Sequence, residues 1–233
     1  MSESLPFSIL HQDEHCIAIA KRPGIHVHHS ALSPNEISCM PLLRDMIGSY
    51  VYPIHRIDRA TSGIVLFALH TDAHSAFNAC MREGGMKKHY HAVVRGWMQS
   101  GICDSPISTE DKTQEAETHF HAKSHVELEY PSMQFDTTRI ALMKVELKTG
   151  RRHQIRKHCA HLRHPIAGDV RYGDGRFNAL FRTQFGLHRL LLFATSLSFI
   201  HPITGIPVVI NYNPVEHDER LNMFFGRYGL ICG

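Results

Sequence analysis

The chain has 233 residues, 43% of them hydrophobic, six cysteines and a formal net charge of +3. That is enough apolar material to bury the core of one large or two small domains, and it excludes a disordered chain. Cys16, Cys39, Cys80, Cys103, Cys159 and Cys232 form no Cys-x-x-Cys pair, no basic-then-apolar leader opens the chain and no apolar run has transmembrane length, so a reducing compartment, the cytoplasm, is expected. In chain order, Cys16 to Ala20 reads as a strand, followed by a turn at Pro23-Gly24. Ser38 to Tyr50 reads as a helix with Pro41 in its first turn, and Ile64 to Leu69 as a buried strand. Thr71 or Asp72 can cap a helix running to Arg82. Tyr90, Ala92 and Val94 share one face of a strand, and Cys103 to Gln114 is polar and irregular. Strands are expected at Thr118 to Leu128 and at Arg139 to Leu147, the second with Ala141, Met143, Val145 and Leu147 inward. Residues 152–162 read as a helix with Ile155, Cys159 and Leu162 as its apolar stripe. Strands at Leu190 to Phe199 and Pro207 to Tyr212 precede a terminal helix near Glu216 to Phe225. Strands and helices interleaved with hairpin-like spacing predict an α+β fold.

Two stretches carry chemistry. His55-Arg56-Ile57-Asp58-Arg59-Ala60-Thr61-Ser62-Gly63 sets one carboxylate between two guanidiniums, which would hold it ionised, and ends in residues suited to a tight turn. Such an Asp can be a nucleophile; a surface ion network explains the same residues. Residues 151–164 carry Arg151, Arg152, Arg156, Lys157 and Arg163 with no acid among them, and His153, His158, His161 and His164 interleaved. A solvated helix face accounts for that pattern, and so does a patch that neutralises phosphates.

The His55–Gly63 run resembles the signature His-Arg-Leu-Asp-x-x-Thr-Ser-Gly of RluA-type pseudouridine synthases, with Ile57 in the Leu position. Lys88-His89-Tyr90-His91-Ala92-Val93-Val94-Arg95-Gly96 is similar to that family's Lys-x-Tyr-x-Ala-x-Val-x-Gly, and Thr149-Gly150-Arg151-Arg152-His153-Gln154-Ile155-Arg156 to its Thr-Gly-Arg-x-His-Gln-Ile-Arg. His164-Pro165-Ile166-Ala167-Gly168-Asp169 and His201-Pro202-Ile203-Thr204-Gly205 follow in family order. Two departures stand out: Lys21-Arg22-Pro23-Gly24 replaces Lys-Pro-x-Gly, which exposes an extra basic residue, and Leu192-Phe193-Ala194 replaces Leu-His-Ala.

The resemblance implies a mixed, largely antiparallel sheet with flanking helices and a central catalytic cleft. It further implies one catalytic domain over residues 1–233, with no separate N-terminal RNA-binding domain. Asp58 is the expected essential carboxylate, Arg156 its partner, and Tyr90 the residue that stacks on the uracil. Arg56 is expected to fill the stack vacated by a flipped uridine, Arg59 to contact phosphate at best, and Leu191 or Leu192 to line the floor beneath the base. Arg151, Arg152, Lys157 and Arg163 are the expected RNA contacts. No cofactor, metal, membrane or protein partner is implied. The spacing of Arg44-Asp45 and the segments Lys148–Gln154 and His161–Asp169 look most like the tRNA-acting bacterial members, which modify a uridine on the T-stem side of the acceptor arm, uridine 65. A ribosomal-RNA or dual-specificity relative is the alternative.

Readings of other classes are a non-catalytic RNA-binding module and, from the 20 histidines, a metalloenzyme built on His26, His28 and His29 or on His158, His161 and His164. No His-Glu-x-x-His or Cys/His finger pattern supports the second.

Overall fold

Cys16–Lys21 (β2) and Ser62–Ala68 (β4) are buried along their whole length, and they run antiparallel as the spine of one of two compact units. The computed structural model describes residues 5–28, 36–108, 112–131 and 135–232. The first unit comprises Met1–Lys88 and Ala194–Tyr212; the second comprises His89–Phe193 and Asn213–Gly233.

In the first unit Phe7–Gln12 (β1) pairs with β2, shifting register between Ile9 and His11, and Tyr52–Pro53 (β3) lies along β4. Leu192–Ile200 (β11) follows β4 in the sheet and pairs antiparallel with Pro207–Asn211 (β12). Cys16, Ala18 and Ala20 pack with Leu66, Phe77, Phe199 and Tyr212, while Ile17, Ile19, Val65 and Phe67 are buried on the opposite face. Coverage on both faces is why these strands read as continuous apolar runs instead of alternating ones. Helix Cys39–Ile47 (α1) ends at Gly48 in the left-handed conformation, short of the Tyr50 expected. Helix Thr71–Arg82 (α2) is capped by neither Thr71 nor Asp72: His70 takes the N-cap, its ring accepting the Ala73 amide.

In the second unit Met86–Arg95 (β5, whose first three residues belong to the first unit) is followed in the sheet by Thr138–Leu147 (β10), Thr118–Leu128 (β9) and Gly101–Cys103 (β6). Tyr90 faces Val145 and Ala92 faces Met143 across β5 and β10, so the predicted inward set is correct except Leu147, which is only half-buried. The irregular stretch before β9 holds a two-stranded ribbon, Ile107–Ser108 (β7) with Thr113–Gln114 (β8); residues 109–111 lie outside the described residues. Gln154–His161 (α3) matches the expected helix with later onset. Gly175–Phe185 (α4) was not expected from the sequence. Asp174 caps it through the Arg176 and Phe177 amides, and Phe177 and Phe181 enter a core with Phe193, Phe224 and Phe225. Glu219–Tyr228 (α5) supplies the last two, capped by Asp218 and closed by Gly229.

The fold class is α+β with a large, mostly antiparallel sheet, as expected. Among the described residues no helix is long and apolar enough to cross a membrane.

Candidate active site

The signature run forms the connection between β3 and β4 in the first unit. Its fold follows from a tight turn in which the Thr61 amide donates to the Asp58 carbonyl at 3.1 Å. Thr61 and Ser62 are buried, Asp58 is half-buried and Arg56 is exposed. Gly63 has φ +116°, and a Cβ there would meet the Ala194 carbonyl oxygen at 2.2 Å, so the motif's glycine is required by close approach to β11. Of the two flanking guanidiniums, that of Arg59 is engaged by groups other than Asp58. Arg59 donates Nε to the Gly24 carbonyl at 2.9 Å and pairs with Glu36 at 3.2 Å. Arg59 thereby ties its turn to the segment after β2.

Lys21 completes this tie, and sequence reasoning missed it. The side chain is fully buried, and Nζ donates to the carbonyls of Arg22, Ile25 and Arg59 at 2.9, 2.8 and 3.0 Å. The Gly24 amide meets the Arg59 carbonyl at 2.8 Å from the other direction. An ammonium has three donors and no acceptor, so a cage of carbonyls is what a buried lysine needs. The extra basic residue of the shifted Lys21-Arg22-Pro23-Gly24 motif is exposed Arg22, while Lys21 is the anchor. His55 opens the motif with both ring nitrogens buried and unbonded; burial and then the Lys88 charge push its pKa well below the usual histidine range, so it is neutral.

In the second unit Tyr90 is on β5 with 7% of its surface exposed. Arg156, on α3, is also buried, its Nε and Nη2 donating to Asp169 Oδ2 and Oδ1 at 2.8 Å each. The Arg156 guanidinium lies 5.2 Å from the centre of the Tyr172 ring. Burial alone would push the Asp169 carboxyl up, but the Arg156 guanidinium and the Tyr172 and Arg171 amides hold it below the usual range. A bidentate pair fixes the plane and direction of the guanidinium. The sequence offered Asp58 as the partner of Arg156; Asp169, part of a motif already singled out, is the second carboxylate.

The same stretch shows why its other residues recur in the motif. Gln154 is buried and fully bonded: Oε1 accepts from Thr149 Oγ1 and the Arg151 amide, and Nε2 donates to the Glu117 carbonyl and Thr118 Oγ1. His153 adopts a left-handed conformation, φ 58°, and its Nδ1 bonds the Tyr172 hydroxyl at 2.9 Å. His158 uses Nδ1 on Thr118 Oγ1 and Nε2 on the Ser105 carbonyl, and burial pushes its pKa down. With both nitrogens engaged His158 is no metal ligand, which removes the His158, His161 and His164 reading. His26 Nε2 lies 3.1 Å from Glu36 Oε2, and His29 lies outside the described residues.

The basic run is therefore less of a surface than its sequence suggests. Arg152 and Arg163 are exposed, Arg163 with φ 63°, whereas Arg151 donates to the Glu115 carbonyl and Lys157 to the Ser108 carbonyl. Leu191 and Leu192 are core residues, at 0% and 3% exposure.

The RNA pseudouridylate synthase family model matches residues 15–161. The chain belongs to that family. All three predicted catalytic positions, Asp58, Tyr90 and Arg156, fall inside the matched segment, and Asp169 falls outside it. A tRNA pseudouridine synthase C of Vibrio parahaemolyticus serotype O3:K6 is 44% identical, covering 94% of both chains. One from Haemophilus influenzae is 40% identical, covering 94% of this chain and 97% of the other. Among solved structures, human RNA pseudouridylate synthase domain containing 1 aligns with a TM-score of 0.69 at 21% identity, over 92% of this chain and 87% of that one, which is a likeness of fold.

Proposed function

We propose that the chain converts a uridine of tRNA to pseudouridine, with uridine 65 on the T-stem side of the acceptor arm as the target and both compact units acting together as one catalytic domain in the cytoplasm. The observation that carries the substrate is the run of relatives named for tRNA at 36–44% identity over 90% or more of this chain.

The reaction breaks the bond from uracil N1 to ribose C1′, forms one from C5 to C1′, moves a proton off C5 and returns one to N1. No electron acceptor or phosphate donor enters that balance. Asp58 is assigned the carboxylate that attacks C1′ or takes the C2′ proton; one carboxylate serves either role. The Asp58–Thr61 turn, held by Lys21 and Arg59 through backbone carbonyls, fixes the backbone that carries it. Arg156 is assigned to hold that carboxylate ionised, its own orientation set by Asp169 and Tyr172. Tyr90 is assigned the uracil face and proton transfer. Exposed Arg56 has the freedom needed to enter a base stack after flipping. Arg152, with Arg151, Lys157 and Arg163, is assigned to phosphates.

The test is incubation of the purified chain with an unmodified tRNA transcript, followed by mapping of pseudouridine along it. One modified uridine in the acceptor and T-arm, absent with the Asp58→Asn variant, is the expected result. Inactivity on tRNA together with conversion of a ribosomal-RNA uridine would overturn the substrate and keep the family.

A further inference from the structure

In the first unit, the turn between β1 and β2 brings together side chains that closing a turn does not require. Asp13 Oδ1 accepts the amides of His15 and Cys16 at 2.8 Å each, which closes the turn. Asp13 Oδ2 is left facing three other groups: His11 Nε2 at 3.0 Å, the Cys16 thiol at 3.4 Å and His201 Nε2 at 3.6 Å. His11 Nε2, Asp13 Oδ2 and Cys16 Sγ all lie within 4.8 Å of one another, and no other group of three such ligands occurs among the described residues. Bonds of about 2.0–2.3 Å to a tetrahedral ion would hold such atoms roughly 3.5 Å apart, so the three need only small adjustments, with His11 and Asp13 opening slightly from 3.0 Å.

The surrounding imidazoles orient this set without joining it. His201 accepts the Ile203 and Thr204 amides at Nδ1, at 3.2 and 3.1 Å, which places its proton on Nε2. That nitrogen is buried, has no hydrogen-bond partner and points at Asp13. His70 accepts the Ala73 amide at Nδ1, so its Nε2 donates to His15 Nδ1 at 3.0 Å, and the His15 ring packs 5.4 Å from that of His201. A carboxylate oriented by an outer imidazole is a common way to hold a ligand in place.

We propose that the β1–β2 turn is a structural zinc site, with His11 Nε2, Asp13 Oδ2 and Cys16 Sγ as protein ligands and water as the fourth. Binding forms the Zn–S bond as the Cys16 thiol proton leaves to solvent. The mixed nitrogen, oxygen and sulfur set selects zinc over magnesium or calcium, which favour all-oxygen ligands. His11 and Asp13, each about one-third exposed, leave a way in from solvent, whereas Cys16 is fully buried. No residue assigned to catalysis contributes a ligand, so the ion would pin the β1–β2 hairpin and leave the chemistry alone.

The test uses the untagged full-length chain, stripped with a chelator and titrated with zinc against a chromophoric competitor, then with cobalt. One tight equivalent of zinc is expected, with a sulfur-to-cobalt charge-transfer band in the near ultraviolet. Cys16→Ser should lose the band, and His11→Ala should weaken zinc at least about tenfold, while His161→Ala changes neither. Zinc, and not magnesium, should raise the melting temperature of the wild type more than that of His11→Ala. Pseudouridine formation by the stripped protein should be unchanged at low temperature. If Cys16→Ser does not fold, the partly exposed His11 still decides. Absence of the cobalt–sulfur band, or equal zinc affinity in wild type and His11→Ala, would reduce the binding to surface histidines and overturn the site.

Discussion

Asp169→Asn keeps the size of a side chain that is 1% exposed and removes only its charge, leaving the 7%-exposed Arg156 guanidinium without its bidentate partner. Removing one partner of a buried pair costs about 3–5 kcal/mol, because the remaining ion stays desolvated. In a chain of this length each kcal/mol lowers the melting temperature by roughly 2–4 °C, so the variant should melt about 6–20 °C below the wild type. Two of the three guanidinium nitrogens lose their anchor, so activity should fall with kcat while KM for RNA stays near its original value. The pH dependence has a fixed sign. The Asp169 carboxyl is held below its unfolded value, so its contribution is present above the unfolded carboxylate pKa and is lost as pH falls through the folded one. Calorimetry of wild type and variant from pH 7 to pH 3 reads both effects: the difference in melting temperature should shrink at the acid end. Arg156→Met should also destabilise, and the double variant should lose less than the sum of the two. A melting temperature within about 1 °C of wild type at pH 7, or full additivity in the double variant, would refute the reasoning.

Asp58→Asn should abolish pseudouridine formation and leave RNA affinity equal or higher, since a negative charge near phosphates is removed; residual turnover above about a tenth of wild type would sink the assignment. Arg156→Met should cripple turnover on single-stranded and duplex substrates alike, whereas Arg56→Ala should hurt a stem uridine more than an unpaired one. Lys21→Met replaces three Nζ–carbonyl bonds with a thioether of similar length. It should lower kcat by loosening the Asp58 turn, and a full rate with wild-type stability would show that the cage is dispensable. Binding should weaken steeply with salt, and Arg152→Glu should flatten that slope and raise KM more than it lowers kcat; an unchanged slope would remove Arg152 from the RNA contacts.

Strand β9 falls at Thr118 to Leu128 as read from the sequence, and β5 turns Tyr90, Ala92 and Val94 inward, because alternation is a local property that needs no knowledge of the partner strand. The signature motifs were equally legible, since the residue types at Asp58, Tyr90 and Arg156 and their order are written in the chain. The further groups that hold the site's residues were not. Arg59, adjacent to Asp58, turns its Nε to Gly24 and Glu36, and Arg156 finds Asp169 at 13 residues' separation. Residues 151–164 read as a uniform basic face, yet Gln154, Arg156 and His158 are interior because β9 and the Asp169 turn offer them matched acceptors and donors. Helix α4 escaped notice because Asp174-Gly175 reads as a turn, and only the phenylalanines it buries against α5 make it pay to continue as a helix. The sequence determined element type and chemical inventory, which depend on near neighbours and side-chain identity. Tertiary structure decided which polar groups are buried and with whom they pair, because the cost of burying a charge is set by the groups that long-range folding brings beside it.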